Sequence, residues 1–141
     1  MKRIISFGSL FLLFACRPAA DTTRKPVYEI LSQQDDGGAR IPFFELLTEA
    51  NEIKMLQNDP NLHKKIKAAD LSQCNFVILN VGEKEILGYQ YAIEEAKETK
   101  DSILIQTKLL APTTNQKPEQ DIYYTPFTVL KINSKKPIRI N

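Results

Sequence analysis

The sequence predicts a mainly β protein of the α+β class, an antiparallel β-sandwich or small barrel with one N-terminal amphipathic helix. Short runs rich in β-branched and aromatic residues recur along the chain, and turn-forming residues separate them, which is typical of strands. One early run has helical spacing instead. Because few segments could serve as crossover helices, most neighbouring strands are expected to run antiparallel.

The first half of the chain is predicted to hold one strand and the helix. Residues 26–31 form a strand, which Asp35–Gly38 ends with turn-forming residues. From Pro42 onward, apolar residues recur at helical spacing and share one face. These residues are Phe43, Leu46, Leu47, Ala50 and Ile53, and Asn58–Pro60 ends the run. A weaker helical turn is expected over residues 62–67.

The second half is predicted to be a series of strands. Residues 75–81 are apolar on both faces, which indicates a buried central strand. A turn at residues 82–84 leads to a strand over 87–93, and a charged connection (94–101) leads to a strand over 102–110. A polar loop (112–118) precedes a long strand over 122–132. Pro126 interrupts that strand and predicts a bulge or a sheet edge. Residues 137–140 add a short last strand.

Composition limits the protein to one ordinary globular domain. The 141 residues are 43% hydrophobic and 26% charged, which excludes disorder and a disulfide scaffold. There are 19 basic residues against 17 acidic ones, so net charge provides no reason to expect a nucleic-acid partner. Once Lys2 and Arg3 are taken away, 17 basic residues remain against the 17 acidic ones.

Residues 1–15 have the layout of an export signal. Lys2 and Arg3 precede an apolar run of about ten residues, which is too short to cross a bilayer that needs about twenty. The run ends at Leu13–Cys16, which resembles the lipobox of bacterial lipoproteins, although Phe14 is bulkier than the residue usual there. The resemblance implies that Cys16 is lipidated and that residues 16–25 form a tether to a domain over 26–141. The expected location is the cell envelope, with a secreted or periplasmic protein as the alternative if Cys16 is not lipidated.

Cys74 is then left without a cysteine partner. It lies beside the apolar residues 76–79, so we expect a buried thiol that behaves as a small hydrophobe. A reactive thiol is the alternative. If Cys16 is not lipidated, a disulfide between Cys16 and Cys74 stays open.

The sequence predicts no catalytic residues, no metal ligands and no cofactor. His63 is the sole histidine, so a zinc site built on several histidines is excluded. The common glycine-rich phosphate loops are absent, and no serine lies in a nucleophile-elbow context. We therefore expect a protein that is not an enzyme.

Two elements have the character of binding loops. Gly82 and Gly88 bracket a charged turn, and Gly88 is followed directly by Tyr89. In the second element, Thr125, Pro126 and Phe127 present a constrained apolar segment. Because loops on a rigid sandwich often bind partners, Gly88, Tyr89, Thr125, Pro126 and Phe127 are the candidate partner-binding residues. The alternative is structural, with a core tyrosine after a turn and a core phenylalanine at an edge bulge.

At these residues the chain resembles the PrcB C-terminal family, exported and often lipid-anchored proteins named for a subunit of a bacterial surface protease complex. The resemblance runs from Val27 to Ile140 and is carried by 76–84, 87–89, 125–132 and 136–138, with support from Phe43–Leu47 and Asp70–Ser72. Leu87 stands where the family commonly has glycine, so the hairpin is expected to turn near Gly82. A stretch with Asn115, Gln116 and Pro118 replaces the usual glycine-bearing loop. Both departures lie in loops that a partner would contact.

The resemblance implies a lipid-anchored, non-enzymatic interaction module that binds or stabilises an exported protein. A protease is the partner it implies, with membrane contact through the lipid and no nucleic acid. The alternative is a peptidase inhibitor of the chagasin type, because Gly88-Tyr89 and Pro126-Phe127 are similar to its inhibitory loops. An enzyme of unknown chemistry is a more distant alternative.

Overall fold

The computed structural model describes residues 24–113 and 121–141. In these residues the chain forms seven strands in two sheets, together with two short helices, and the sheets do not close into a barrel. The predicted mainly β, sandwich-like fold is therefore confirmed. The elements are β1 (Tyr28–Gln34), β2 (Phe43–Leu47), α1 (Ala50–Leu56), α2 (Asp70–Gln73), β3 (Asn75–Asn80), β4 (Gln90–Glu98), β5 (Ile103–Leu110), β6 (Phe127–Ile132) and β7 (Ile138–Ile140).

The larger sheet has the strand order β1-β6-β3-β2, and every neighbouring pair in it is antiparallel. The smaller sheet has the order β4-β5-β7. Here β4 and β5 form an antiparallel hairpin, whereas β7 runs parallel to β5. This last strand is thus the exception to the expected antiparallel pairing. The chain reaches β7 through β6 in the other sheet, so a tight hairpin does not dictate its direction.

The larger sheet is the middle layer of the molecule. The segment that contains both helices and the turns between them (residues 50–73) is called the helical segment. On one face of the sheet, Phe76 and Val129 pack with Ile53, Leu62 and Ile66 of this segment. On the other face, buried side chains of both sheets meet in a second cluster that contains Val77, Leu79, Ile103, Ile105, Leu130 and Ile132. Because β3 and β6 are covered on both sides, they need apolar residues on both faces, as the sequence of residues 75–81 indicates.

The predicted helix from Pro42 is wrong over its first half. Residues 43–47 form strand β2, which pairs with β3. Leu47 lies opposite Phe76, and both belong to the buried cluster between the larger sheet and the helical segment. Apolar residues three and four apart fit a helix face, but they also fit a strand with apolar residues on both faces. The real helix begins after Glu49, where the carboxylate of Glu52 accepts hydrogen bonds from the backbone N–H groups of Thr48 and Glu49, each at 3.0 Å.

The boundaries of β4 are also different from the expected ones. The strand begins at Gln90 and continues to Glu98, through most of the segment expected to be a charged connection. Charged residues fit there because one face of β4 is open to solvent, and a register shift lies between Ile93 and Glu95. The expected hairpin from the strand over 75–81 to that over 87–93 is wrong as well, because β3 and β4 belong to different sheets.

Strand β6 is shorter than expected. Residues 121–126 contribute a single bridge, between Tyr124 and Lys84, and the strand begins only after Pro126. The interruption at Pro126 is confirmed, but β6 lies between β1 and β3, so the proline is not at a sheet edge. It precedes the first residue of the strand, where its missing N–H costs no ladder bond.

Three further predictions of secondary structure agree with the structure. The first strand is present and extends to Gln34, the last strand covers 138–140, and helical turns are present over residues 59–66. The expected signal segment (1–15), Cys16 and the tether up to residue 23 lie outside the described residues, as does most of the loop over 112–118. In the described part of the chain, no helix is long and apolar enough to span a membrane.

The packing of α1 gives a first test. Ile53 is 0% exposed in the core, whereas Met55 of the same helix is 71% exposed. Ile53→Ala should therefore lower the free energy of unfolding by about 2–5 kcal/mol, because the cavity is left next to Phe76. Met55→Ala, the matched control, should change it by no more than about 0.5 kcal/mol. Denaturant titration measures both, and equal losses would contradict the packing of α1 on the sheet.

Candidate functional site

Three connecting segments meet at one end of the larger sheet. The antiparallel register places the end of β1 and the end of β3 beside the start of β6, and the start of β2 beside the end of β3. The segments 35–42, 81–89 and 121–126 therefore leave the sheet at the same end. We call these segments the loop end.

Asn80, the last residue of β3, holds the segment 35–42 in place. Its side chain is 1% exposed. The amide nitrogen donates to the carbonyl oxygens of Ala39 and Ile41 at 2.8 and 2.6 Å, and the amide oxygen accepts from the N–H of Ala39 at 2.9 Å. Gly38 permits this close approach, because a Cβ atom there would lie 2.2 Å from the Asn80 side-chain oxygen. The buried amide thus supplies hydrogen-bond partners to backbone groups of residues 39–41, which have no neighbouring strand to bond to among the described residues.

Asp36 and Thr125 join two of these segments. The Asp36 carboxylate accepts hydrogen bonds from the backbone N–H and the hydroxyl of Thr125 at 3.0 and 2.8 Å. In return, the N–H of Gly38 donates to the carbonyl of Thr125 at 2.9 Å. The bonds from Thr125 are the main cause of a pKa of Asp36 below its ordinary value. This exposed carboxylate therefore stays ionised and holds the two segments together.

The segment after β3 is bound to residues 124–126 through its backbone. The N–H of Val81 donates to the carbonyl of Pro126 at 2.9 Å, and Lys84 and Tyr124 exchange two bonds of 2.8 Å each. Arg40 forms an ion pair with Glu83, whose N–H also donates to the carbonyl of Arg40 at 2.8 Å. The loop end is consequently cross-linked by hydrogen bonds among all three segments.

Gly88 and Tyr89 lie at the outer side of this loop end. Gly88 has a φ of +99°, and a Cβ atom at this position would lie 3.0 Å from the Cβ of Pro112, so both backbone strain and contact favour glycine. The ring of Tyr89 is half-buried, with the Lys84 ammonium 5.2 Å from its centroid. Through Lys84, the loop of Tyr89 is tied to Tyr124.

The structure thus brings the two predicted binding elements to the same end of the sheet, but it places their side chains differently. The Thr125 hydroxyl is used within the loop end, Pro126 is buried, and Phe127 packs against the buried cluster under the helices. Gly88 is exposed, and Tyr89 is partly open to solvent. Tyr89, Thr125 and Phe127 are all partly buried, so exposure alone separates only Gly88, which is exposed, from Pro126, which is buried.

Sequence reasoning missed the exposed apolar residues of the loop end. Ile41 is 69% exposed, and Leu87, Ile122 and Tyr123 are also exposed. They lie on the three segments of the loop end. No periodicity marks them, because they belong to irregular backbone. Together with Gly88 and Tyr89, these four exposed apolar side chains make the loop end the candidate contact surface.

The thiol of Cys74 is buried, as predicted. A cluster of polar groups surrounds it. Lys131, which is 9% exposed, pairs with Glu29 at 2.9 Å and lies 3.9 Å from Asp70, and Cys74 contacts Asp70 at 3.6 Å. Burial lowers the pKa of Lys131, but the hydrogen bond to Glu29 and the charge of Asp70 outweigh it, so the pKa is raised overall. Burial and then Asp70 raise the pKa of Cys74. The thiol is therefore held protonated, which opposes nucleophilic behaviour.

One concave surface away from the loop end has a single ionisable side chain in its lining. A shallow groove of about 340 Å³ runs along the outer side of β1, and Lys65, which lines it, donates to the carbonyl of Leu31. His63 is exposed and its ring contacts the carbonyl of Pro60 at 3.1 Å. Within residues 24–113 and 121–141, no group of three or more histidine, cysteine, aspartate or glutamate side chains is placed to hold a metal ion.

Comparisons of the chain with family models, with curated proteins and with solved structures found no match.

The bond between Asp36 and Thr125 predicts an acid-dependent stability. Since the pKa of Asp36 is lowered on folding, its stabilisation is present above the ordinary value of 3.8 and is lost as the pH falls below it. Asp36→Asn should therefore lower the Tm at neutral pH, and the difference from the parent chain should shrink below pH 3.8. Thermal unfolding from neutral to acid pH measures both effects.

Asp35→Asn is the matched control, because Asp35 is the exposed neighbour of Asp36. It should leave the Tm close to that of the parent chain across the same pH range. Equal effects of the two substitutions would show that general surface charge, rather than the bond to Thr125, is responsible.

Proposed function

We propose that the protein is an exported, lipid-anchored interaction module without enzymatic activity of its own, which binds or stabilises another exported protein. The observation that carries the proposal is the loop end, where exposed apolar side chains are held on a backbone braced by Asn80, Asp36 and Thr125. Preordered loops lose little entropy on binding, so such a surface favours association.

The proposed location of the protein, at a membrane of the cell envelope, is inferred from its N-terminal sequence. Lys2, Arg3, the apolar run and Cys16 support export and lipid attachment. Several acyl chains on Cys16 would hold the domain at a membrane surface durably, because each buried CH₂ contributes about 0.8 kcal/mol. The domain would then meet partners that are themselves in the cell envelope.

A protease of the cell surface or periplasm is the partner that the family resemblance implies. The residues that carry the resemblance include parts of the loop end, namely 81–84, 87–89 and 125–126. We assign contact with the partner to Gly88 and Tyr89 together with the exposed apolar residues Ile41, Leu87 and Tyr123. Thr125, Pro126 and Phe127 support this surface from within.

Tyr89 tests the binding surface. Tyr89→Ala should abolish capture of the partner by the tagged full chain from native membranes while the Tm stays near that of the parent, because the ring is only half-buried. Leu104→Ala, at an exposed residue of the smaller sheet, is the control and should retain capture. A bound protein that survives Tyr89→Ala would contradict the assignment.

Phe127→Ala should behave differently from Tyr89→Ala. Because Phe127 packs against the buried cluster, its truncation should lower stability, and any loss of capture should follow that loss. If instead Tyr89→Ala unfolds the domain, Tyr89 belongs to the core and the proposed surface is wrong.

Cys16 tests the anchor. Cys16→Ser should move the protein from the membrane fraction to the soluble exported fraction and abolish incorporation of an alkyne-labelled fatty acid, because the acceptor thiol is removed. Cys74→Ser, which changes the buried thiol, should leave both readouts unchanged. Label that persists in Cys16→Ser would contradict lipidation at this residue.

Inhibition of papain-like peptidases is the second candidate, and the common location of the Gly88-Tyr89 and Thr125–Phe127 segments favours it. The burial of Pro126 speaks for the interaction module, because an inhibitory loop must present its residues to the peptidase. Papain that keeps its activity at stoichiometric amounts of the protein supports the module, and tight inhibition would support the inhibitor.

A further inference from the structure

Strand β2 lies at an edge of the larger sheet. In the described residues it pairs with β3 alone. The direction of its hydrogen bonds follows from β3. The N–H of Asn75 donates to Ser134 and that of Val81 donates to Pro126, so the odd-numbered residues of β3 bond toward β6. The even-numbered residues of β3 must then bond toward β2.

This alternation decides which groups of β2 face outward. Phe43, Glu45 and Leu47 are opposite the even-numbered residues of β3 and bond inward. The N–H and C=O groups of Phe44 and Leu46 consequently point away from the sheet. None of these four groups has a hydrogen-bond partner within residues 24–113 and 121–141. They form a short template for one more strand.

The side chains of the same two residues form an apolar surface. Phe44 and Leu46 are each 41% exposed. They lie opposite Leu79 and Val77, whose side chains face the smaller sheet. The ring of Phe44 meets that of Tyr91 on β4 edge to face, with the centroids 5.1 Å apart. An added strand would therefore place its side chains at these two positions against apolar groups.

Glu45, between them, points to the opposite face. It is exposed and forms no ion pair with any described residue. A residue that pairs directly with Glu45 on an added strand would lie on the same face, where an opposite charge stabilises the pair.

We propose that β2 binds an extended segment of another protein as an additional strand, and that this segment has the pattern apolar–basic–apolar. The apolar residues lie opposite Phe44 and Leu46, and the basic residue lies opposite Glu45. This mode of recognition combines main-chain hydrogen bonds with alternate side-chain contacts. The inference deepens the proposed function and rests on it in one respect, namely that the domain binds other proteins.

Charge and hydrogen bonding distinguish this occupant from others. A second copy of the chain, paired so that Phe44 of each copy meets Leu46 of the other, would place two Glu45 carboxylates opposite each other, which is unfavourable. A lipid surface would leave the outward N–H and C=O groups of Phe44 and Leu46 without partners in hydrocarbon, which costs several kcal/mol per group. A strand with a basic residue satisfies both constraints.

The test is binding of a labelled peptide, Ser-Val-Lys-Val-Ser with blocked ends, to the full chain in detergent micelles, measured by fluorescence anisotropy. The control peptide has glutamate in place of lysine. The lysine peptide should bind about two- to fivefold more tightly, as expected for one cross-strand charge pair. Glu45→Lys should reverse this preference, whereas Glu95→Lys, at an exposed position of β4, should leave it unchanged.

A backbone variant tests the strand geometry. Leu46→Pro removes an N–H that bonds nothing within the described chain, so the domain should keep its fold and lose the peptide. Absence of binding, a preference that Glu45→Lys does not change, or undiminished binding to a folded Leu46→Pro would each overturn the inference. So would a dimer in sedimentation that Leu46→Pro dissolves, because a second copy would then occupy the edge.

The outcomes also separate this inference from the proposed function. Partner capture that depends on Tyr89 but is accompanied by no peptide binding refutes the β2 site and leaves the loop end standing. Peptide binding with the expected preference but without any captured partner supports the β2 site and refutes the loop end as the binding surface.

Discussion

The antiparallel pairing of β3 with β6 is the contact on which the other layers depend. Both strands are apolar on both faces, so each face of their sheet must be covered before the pair is stable in water. The helical segment covers one face through Ile53 and Leu62, and the smaller sheet covers the other. With no disulfide among the described residues, packing on these two faces is the main source of stability.

The same pairing organises the polar parts of the molecule. Asn80 lies opposite Phe127, so the segments that leave β3 and enter β6 are neighbours, and the amide of Asn80 reaches the segment before β2. At the other end, Lys131 of β6 lies near Glu29 of β1 and Asp70 of α2. This buried lysine, with a carboxylate on each of two other elements, connects β6 to β1 and α2, and desolvation of the charges offsets part of their attraction.

Much of the fold could be predicted from the sequence, and the failures have a common cause. The central strand over 75–80 was identifiable because a short strand that is apolar on both faces must be covered on both sides. Residues 43–47 were expected to be helical because local spacing cannot distinguish a helix face from an edge strand in contact with two layers. The charged run of β4 was expected to be a connection because it has no apolar pattern of its own. It forms a strand because it pairs with β5, and its charged side chains can remain in solvent.

The sequence by itself determined the class of fold, the burial of Cys74 and the two loops at which a binding surface was expected. These follow from composition, from turn residues and from apolar runs, all of which are local properties. Only the tertiary structure decided that these loops share one end, that Pro126 and Phe127 support that end from within, and that Phe44 and Leu46 lie at an open edge. Such placements depend on pairings between residues far apart in the chain, such as Asp36 with Thr125, and no local pattern records which strands become neighbours.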